Sequence, residues 1–339
     1  MIKKHAIIQS KLYKLYSKSE LAKLLGCSTN FIKNFNPSRL YYHNRYEDKK
    51  NGKGKREINN PGRNLKSLHK TLLKIFQKIE TPKYLMSGVK GVSIKDIATM
   101  HQQCNYMLCL DISDFYRSAR VSYVRKMFIK EFKIASNLAE FLSLVTTIPS
   151  EDSRIKYIPT GSPISQMLIF WSYKQTFDDI EKEAQKLDIK FSLYVDDMTF
   201  SSESVISESF YRLVIKRLKS VGLTVKPQKT KRYDFTQDKT TVGIKITKTH
   251  ETKITDKNRH NIISVMKSSG RISKWSLQIM RKVRGMIVSA QQKEPDFMMA
   301  TRKRLDAEIR KQPTKKHRVN RVKKTSNKIK ITRLPKFER

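Results

Sequence analysis

The chain has 339 residues, 38% of them hydrophobic, and its 71 lysines and arginines against 30 aspartates and glutamates give a net charge of +41 and a pI near 10.2. That length supports a sizeable core and about two domains, and the basic excess points to a polyanionic partner, nucleic acid ahead of a membrane surface. No stretch approaches the about 20 apolar residues of a spanning helix, the start MIKKHAIIQS lacks the apolar run of a secretory signal, and three cysteines without a disulfide framework fit a reducing, cytoplasmic setting.

In residues 14–36, Leu21, Leu24, Leu25, Phe31 and Ile32 recur at helical spacing around the break GCST, with Ser17 or Ser19 as a cap. The pair resembles a helix-turn-helix. A polar turn around Asn51–Gly54 then separates an aromatic strand from KREI, and after Pro61 the residues Leu65, Leu68, Leu72, Leu73, Ile75 and Phe76 predict a helix. His101, Cys104 and Cys109 lie close together, but a structural zinc site would show a second short pair, so core cysteines are expected. NYMLCLDISDF (105–115) reads as a buried strand ending in Asp111, and residues 123–147 read as helical. PTGSPISQMLIF opens on a turn and runs into a long helix. FSLYVDDMTFSS (191–202) reads as a strand hairpin with Asp196 and Asp197 at its bend. Residues 204–220 are helical in pattern, GLTVKPQKTKRYDF and TTVGIKIT are strand-like, basic helices start near Asp256, and a basic tail without periodicity starts at Pro313. This order fits an α+β fold, with a mixed sheet covered by helices on one face and a separate helical C-terminal module.

Two adjacent carboxylates in an apolar hairpin are costly to desolvate and repel each other. Asp111, at the end of another strand, could converge with them. Carboxylates gathered in this way bind Mg²⁺ through oxygen, and two ions about 3.5–4 Å apart can activate a 3′-hydroxyl and stabilise a leaving pyrophosphate. An Asp-Asp turn alone is more often an ordinary polar turn. The ordered set of strand–Asp, PTGSP–helix and YVDD on a strongly basic chain is far more specific.

LDISDFYRS, IPTGSPISQ, LYVDD, GLTVKPQKTK, TTVGIKIT and KREINNPGRNLKSLH resemble the motifs of reverse transcriptases; the match runs over roughly residues 20–310, and the chain is most similar to the bacterial retron type. The resemblance implies a right-hand fold of fingers, palm and thumb. Residues 1–104 would form the N-terminal helices and fingers, 105–247 the palm with finger insertions, 248–312 a helical thumb and 313–339 an RNA-contacting basic tail. Asp111, Asp196 and Asp197 would be the catalytic carboxylates and metal ligands, with Asp197 the less direct, and the Ile112 backbone would face the metal. Tyr116 would be the aromatic gate beneath the ribose C2′. Arg56, with Lys55, would clamp the triphosphate through charge-assisted bonds. Thr160 and Gly161 would contact nucleotide and template, the glycine permitting close backbone approach, and Lys229 would serve as general acid to pyrophosphate.

SIKDIATMHQQC resembles the retron segment that reads Asn-Ala-x-x-His. Here Ala98 and His101 match and Ile97 replaces the asparagine, with His101 taken as a nucleic-acid contact. Thr241-Val242-Gly243 stands near the place where retron thumbs carry Val-Thr-Gly. Arg281, Lys282 and Arg284 in KWSLQIMRKVRGMIV would follow a duplex backbone through its phosphates, with A-form RNA recognised mainly by shape. The implied activity is RNA-directed DNA synthesis from dNTPs with two Mg²⁺ ions, Mn²⁺ being the substitute. It would act on the protein's own structured noncoding RNA, start from a guanosine 2′-hydroxyl, and leave RNA-linked single-stranded DNA. An effector protein encoded nearby, acting in anti-phage defence, is the further implied partner; a membrane is not. The alternatives are another bacterial reverse transcriptase of the abortive-infection or diversity-generating type, a non-catalytic RNA-binding scaffold of the same fold, and a helix-turn-helix DNA-binding regulator resting on residues 19–32 alone.

Overall fold

The computed structural model describes residues 3–48, 54–150 and 155–311, so the basic tail from Pro313 and residues 51–53 of the polar turn lie outside the described residues. The first helices are α1 (Lys18–Leu25) and α2 (Thr29–Lys33). Ser17 caps α1 by accepting the Glu20 amide at 3.4 Å, Ser28 caps α2 through the Phe31 amide at 3.1 Å, and Gly26 ends α1 at φ +69. Leu21, Ala22, Leu25 and Ile32 all point into the core. α2 is only five residues long, and both helices bury one face in the core.

β1 (Tyr42–Asp48) and β2 (Lys55–Pro61) form an antiparallel hairpin, and α3 (Arg63–Phe76) follows, burying Leu68, His69, Leu72 and Phe76. Next come α4 (Ile94–His101), β3 (Tyr106–Asp111), α5 (Phe115–Ser118), α6 (Val121–Lys130) and α7 (Ser136–Val145). The single helix expected over 123–147 is therefore two, divided where Lys133 takes φ +54. A short pairing of β4 (Ile148–Pro149) with β5 (Lys156–Tyr157) leads to α8 (Ser165–Gln185), and then to β6 (Lys190–Tyr194), β7 (Asp197–Ser202) and α9 (Glu208–Lys219). β8 (Lys231–Tyr233), β9 (Lys239–Thr241), β10 (Ile244–Ile246) and β11 (Thr252–Ile254) precede α10 (Asp256–Ser268), α11 (Leu277–Gln291) and α12 (Met299–Lys311).

The four-stranded sheet has the order β6-β7-β3-β8 and every pairing in it is antiparallel; a parallel bridge joins its edge, between Leu85 and Leu193. Period-2 alternation explains how its two faces are covered. Leu108, Leu110, Phe191, Met198 and Phe200 share the core with residues of α8 and α9, with Phe191 stacked on Phe200 at 4.8 Å and Phe210 of α9 edge-on to Phe200 at 5.2 Å. Cys109, Ser192, Thr199 and Ser201 face the other way. They meet His101 at the end of α4 and β9, where Thr199 and Thr241 share a hydroxyl hydrogen bond of 2.7 Å. Helices on one face were expected, and the second face is closed as well. That accounts for a strand, β7, buried along five of its six residues.

The chain divides into two compact units, one of Met1–Arg259 with Gln292–Glu294, the other of His260–Gln291 and the chain from Pro295. The boundary expected at 248 precedes β11, which pairs with β10 and so belongs to the first unit. In the second unit α11 buries Met280, Val283 and Ile287, and α12 buries Leu305.

Candidate active site

Tyr194 and Asp197 pair across the β6–β7 hairpin, so its bend is Val195 and Asp196 alone. Val195 sits at φ +57, rare for a β-branched residue. Two neighbours hold it there. The Val195 amide donates to the buried Ser87 hydroxyl at 2.9 Å, and the Ile112 amide donates to the Asp196 carbonyl at 2.9 Å. The segment leading to Ser87 is itself stitched to β6, through Leu193 to Tyr84 at 2.8 Å and Met86 to Leu193 at 2.9 Å. These contacts offset a backbone cost of about 1–3 kcal/mol. Sequence reasoning did not single out Ser87, whose only signal is a small polar residue before Gly88.

Asp111 lies directly opposite Asp197 in the β3–β7 register, so all three aspartates gather at one end of the sheet. The Asp111 carboxylate accepts from Lys226 Nζ at 2.8 Å and from Lys229 Nζ at 2.7 Å. A 3₁₀ turn over Pro227–Lys229 brings both ammonium groups there, and the Lys226 amide anchors it to the Asp111 carbonyl at 2.9 Å. Lys226 was not among the expected site residues; its signal was the three-residue spacing in KPQK. Burial pushes the Asp196 carboxyl above its usual range, and the Asp111 charge adds to this. Asp197 is pushed up to about 6, by burial first and then by Asp196 and Asp111. Lys229 is raised by its bond to Asp111.

Burial and mutual repulsion thus disfavour the charged forms of Asp196 and Asp197 despite the two lysines and Arg56, which is the condition a divalent cation relieves. The donor set fits such an ion chemically. Among the described residues no three His, Cys, Asp or Glu side chains stand ready as a ligand set; both Asp111 oxygens are turned to lysines, which an ion would displace. The Ile112 amide is committed to Asp196, so the carbonyl is the Ile112 group able to face a metal.

The raised Asp197 pKa has a defined sign. Between an unfolded value near 4 and a folded value of about 6, the folded state binds more protons, so this group's contribution to stability falls as pH rises through that window. In metal-free protein, Asp197→Asn is therefore expected to raise the melting temperature at pH 7, and the gain should disappear below about pH 4. A gain independent of pH would show that Asp197 ionisation is not strained.

Tyr116, on α5, is partly buried. Its phenol is pushed well up by burial and then by Asp196, while Arg56 acts in the opposite sense, so the three share one neighbourhood. Arg56 and Lys55 are exposed on β2, opposite Glu47 and Asp48. Thr160 is stitched to that strand: its hydroxyl donates to the Glu57 carbonyl at 2.6 Å, and its carbonyl accepts the Asn59 amide at 2.6 Å. Gly161 follows at φ +95, and a β-carbon there would stand 2.7 Å from Ile58 Cγ2. The close approach that requires glycine is thus made to β2. His69 was not anticipated. Its Nε2 donates to the Val145 carbonyl at 2.8 Å, so Nδ1 accepts from the Ser162 hydroxyl at 2.8 Å, and burial lowers its pKa to about 4. It pins the PTGSP turn from inside α3.

Residues 48–292 match the family described as reverse transcriptase (RNA-dependent DNA polymerase). The chain belongs to the reverse transcriptase family. It is similar to the retron Se72 reverse transcriptase of Salmonella heidelberg, 27% identical over 180 residues, which is 53% of this chain and 46% of that one. It is also similar to the retron Mx65 reverse transcriptase of Myxococcus xanthus, 24% identical over 232 residues (63% and 54%), and to the retron Ec86 reverse transcriptase of Escherichia coli, 26% identical over 178 residues (52% and 53%). The retron-type resemblance read from the motifs is matched by these three relatives, and the chain spans about half their length.

One expected contact of this reverse transcriptase is corrected. His101 is fully buried, with Nδ1 2.6 Å from the Ser201 hydroxyl and Nε2 2.7 Å from the Ser192 hydroxyl, and burial pulls its pKa down to about 3. It cannot touch nucleic acid or zinc; it clips α4 to both strands of the acidic hairpin. Ile97, where the retron motif has asparagine, is buried on the same helix face. Thr241 ends β9 and pairs with Ile244, and Val242 at φ +40 and Gly243 at φ +78 form the β9–β10 turn. On α11, Arg281 and Lys282 are exposed, whereas Arg284 is ion-paired with Asp306 of α12. No helix among the described residues is long and apolar enough to cross a membrane.

Proposed function

We propose that this chain is an RNA-directed DNA polymerase of the retron type, in which β1–β2 and the N-terminal helices act as fingers, the four-stranded sheet as palm and the C-terminal helices as thumb. The observation that carries this reading is the meeting of Asp111, Asp196 and Asp197 at one sheet end, within electrostatic reach of Tyr116 and Arg56. The three carboxylates and the Ile112 carbonyl would hold two Mg²⁺ ions, or Mn²⁺ in their place; bound there, the metal supplies Lewis-acid activation of a hydroxyl and neutralisation of phosphate charge. Arg56 and Lys55 clamp the dNTP triphosphate. The Tyr116 ring lies beneath C2′ and excludes a ribonucleotide. Thr160 and Gly161 fix the nucleotide side of the site against β2, and Lys229 delivers a proton to the departing pyrophosphate. Arg281 and Lys282, with Arg284 alongside, follow the duplex backbone. The template and primer are one structured noncoding RNA, the first bond forms on a guanosine 2′-hydroxyl, and the product is RNA-linked single-stranded DNA made in the cytoplasm. A nearby effector protein would use it in anti-phage defence. The net charge of +41 and the three retron relatives support this assignment.

The test is to incubate the purified protein with RNA transcribed from its flanking locus, dNTPs and Mg²⁺. DNA that stays covalently attached to RNA is the expected product. DNA made only from a separate annealed primer would favour another bacterial reverse transcriptase type, and no DNA from any primer would favour a non-catalytic scaffold.

A further inference from the structure

Arg63, Lys66, Lys70 and Lys74 of α3 are all exposed. Spacings of three, four and four place them in one stripe, directly opposite buried Leu68, Leu72 and Phe76. The helix, RNLKSLHKTLLKIF, has no acidic residue, and among the described residues none of the four basic groups has an ion-pair partner. Lys66–Lys70 and Lys70–Lys74 are like-charge neighbours one turn apart, and Arg63 and Lys66 also sit at the helix end that disfavours cations. This repulsion is left uncancelled on a helix that the fold could have balanced. On α8 and at its C-terminal cap, by contrast, Lys174 is paired with Asp178 and Lys186 with Glu183.

The stripe is about 16 Å long at about 1.5 Å per residue, with its charges about 4.5–6 Å apart, on the scale of phosphate spacing along a nucleic-acid strand. It offers no platform for unpaired bases, because the rings of α3, His69 and Phe76, are buried. It also exposes no large apolar side chain that would enter a bilayer. We propose that the outer face of α3 is a rail for the sugar-phosphate backbone of a duplex RNA stem. This rests on the reading above that the chain binds structured RNA, and it places that RNA on a surface of its own, outside the carboxylate site. The inner face of the same helix carries His69, which holds Ser162 of the PTGSP turn, so a stem seated on the rail bears on the element that fixes the nucleotide side of the site.

The experiment compares two variants of equal net charge: Lys66→Gln/Lys70→Gln/Lys74→Gln, and a control on exposed lysines of α6 and its end, Lys126→Gln/Lys130→Gln/Lys133→Gln. Binding to a 20-base-pair RNA duplex is measured from 50 to 200 mM salt, alongside unstructured oligouridine, with melting curves to confirm folding. The α3 variant should flatten the salt dependence by about 2–3 in log–log slope, weaken duplex binding by about 10-fold or more, and melt no lower than wild type. The control should move the slope by less than half as much. Equal binding by the two variants, or equal loss on oligouridine and duplex, would overturn the rail. If wild-type protein binds oligouridine but no duplex, the rail alone fails; if it binds neither RNA, the RNA-binding reading fails with it.

Discussion

Asp196→Asn is expected to lower DNA synthesis by about 10³-fold, the scale seen when a group that stabilises transition-state charge is removed, while RNA binding and the fold persist. The substitution keeps the size of the side chain. The backbone contact that shapes the bend, from the Ile112 amide to the Asp196 carbonyl, does not involve the side chain. Asp196 is also one source of the repulsion that lifts Asp197, so removing its charge should leave the metal-free protein as stable as before or slightly more so. Extension assays at saturating Mg²⁺, paired with melting curves, separate the possibilities. Activity within 10-fold of wild type would remove Asp196 from the metal site, and activity lost together with stability would mean the residue is structural.

Gly161→Ala should be among the most damaging small substitutions in the chain. The backbone at φ +95 disfavours any side chain, and the new methyl would press on Ile58 Cγ2 at 2.7 Å, Asn60 Oδ1 at 3.2 Å and the Asn59 carbonyl at 3.3 Å. Backbone strain of about 1–3 kcal/mol and overpacking of similar size together give a loss on the order of 2–6 kcal/mol. Because the displaced turn carries Thr160, the apparent KM for dNTPs should rise as well. Gly91 is the natural comparison: it has φ +89 with nothing within 4 Å, so Gly91→Ala measures the backbone cost alone. If denaturant titrations give both variants the same loss, contact with β2 is not what demands glycine at 161.

The parts of this site that could be read in the sequence are those carried by local pattern. Alternating apolar residues around Asp196 and Asp197 marked a hairpin, and the run ending in Asp111 marked a strand; the register then sets Asp111 against Asp197. What stayed hidden is contact between distant segments. A histidine on an apolar helix face looks the same whether it meets solvent-bound RNA or two serines, and His101 meets Ser192 and Ser201. His69, Ser87 and Lys226 act on partners far from them in the chain, Ser162, Val195 and Asp111, and no periodicity encodes such pairs. The polar residues Ser192, Thr199 and Ser201 on β6 and β7 fit an exposed sheet face equally well, so the closure of that face by α4 and β9 could not be foreseen.

The position of β3 in the sheet also governs how the site comes into being during folding. The Val195–Asp196 bend is local, closed by two strands that follow one another in sequence, and can form early. β3 sits between β7 and β8, both supplied by chain much further along, and such non-local closure is the slow, entropically costly part of folding. Asp196 and Asp197 are neighbours in the chain, while Asp111 reaches them only through the non-local β3–β7 pairing. The acidic set is therefore expected to be completed only once β3 takes its place between β7 and β8.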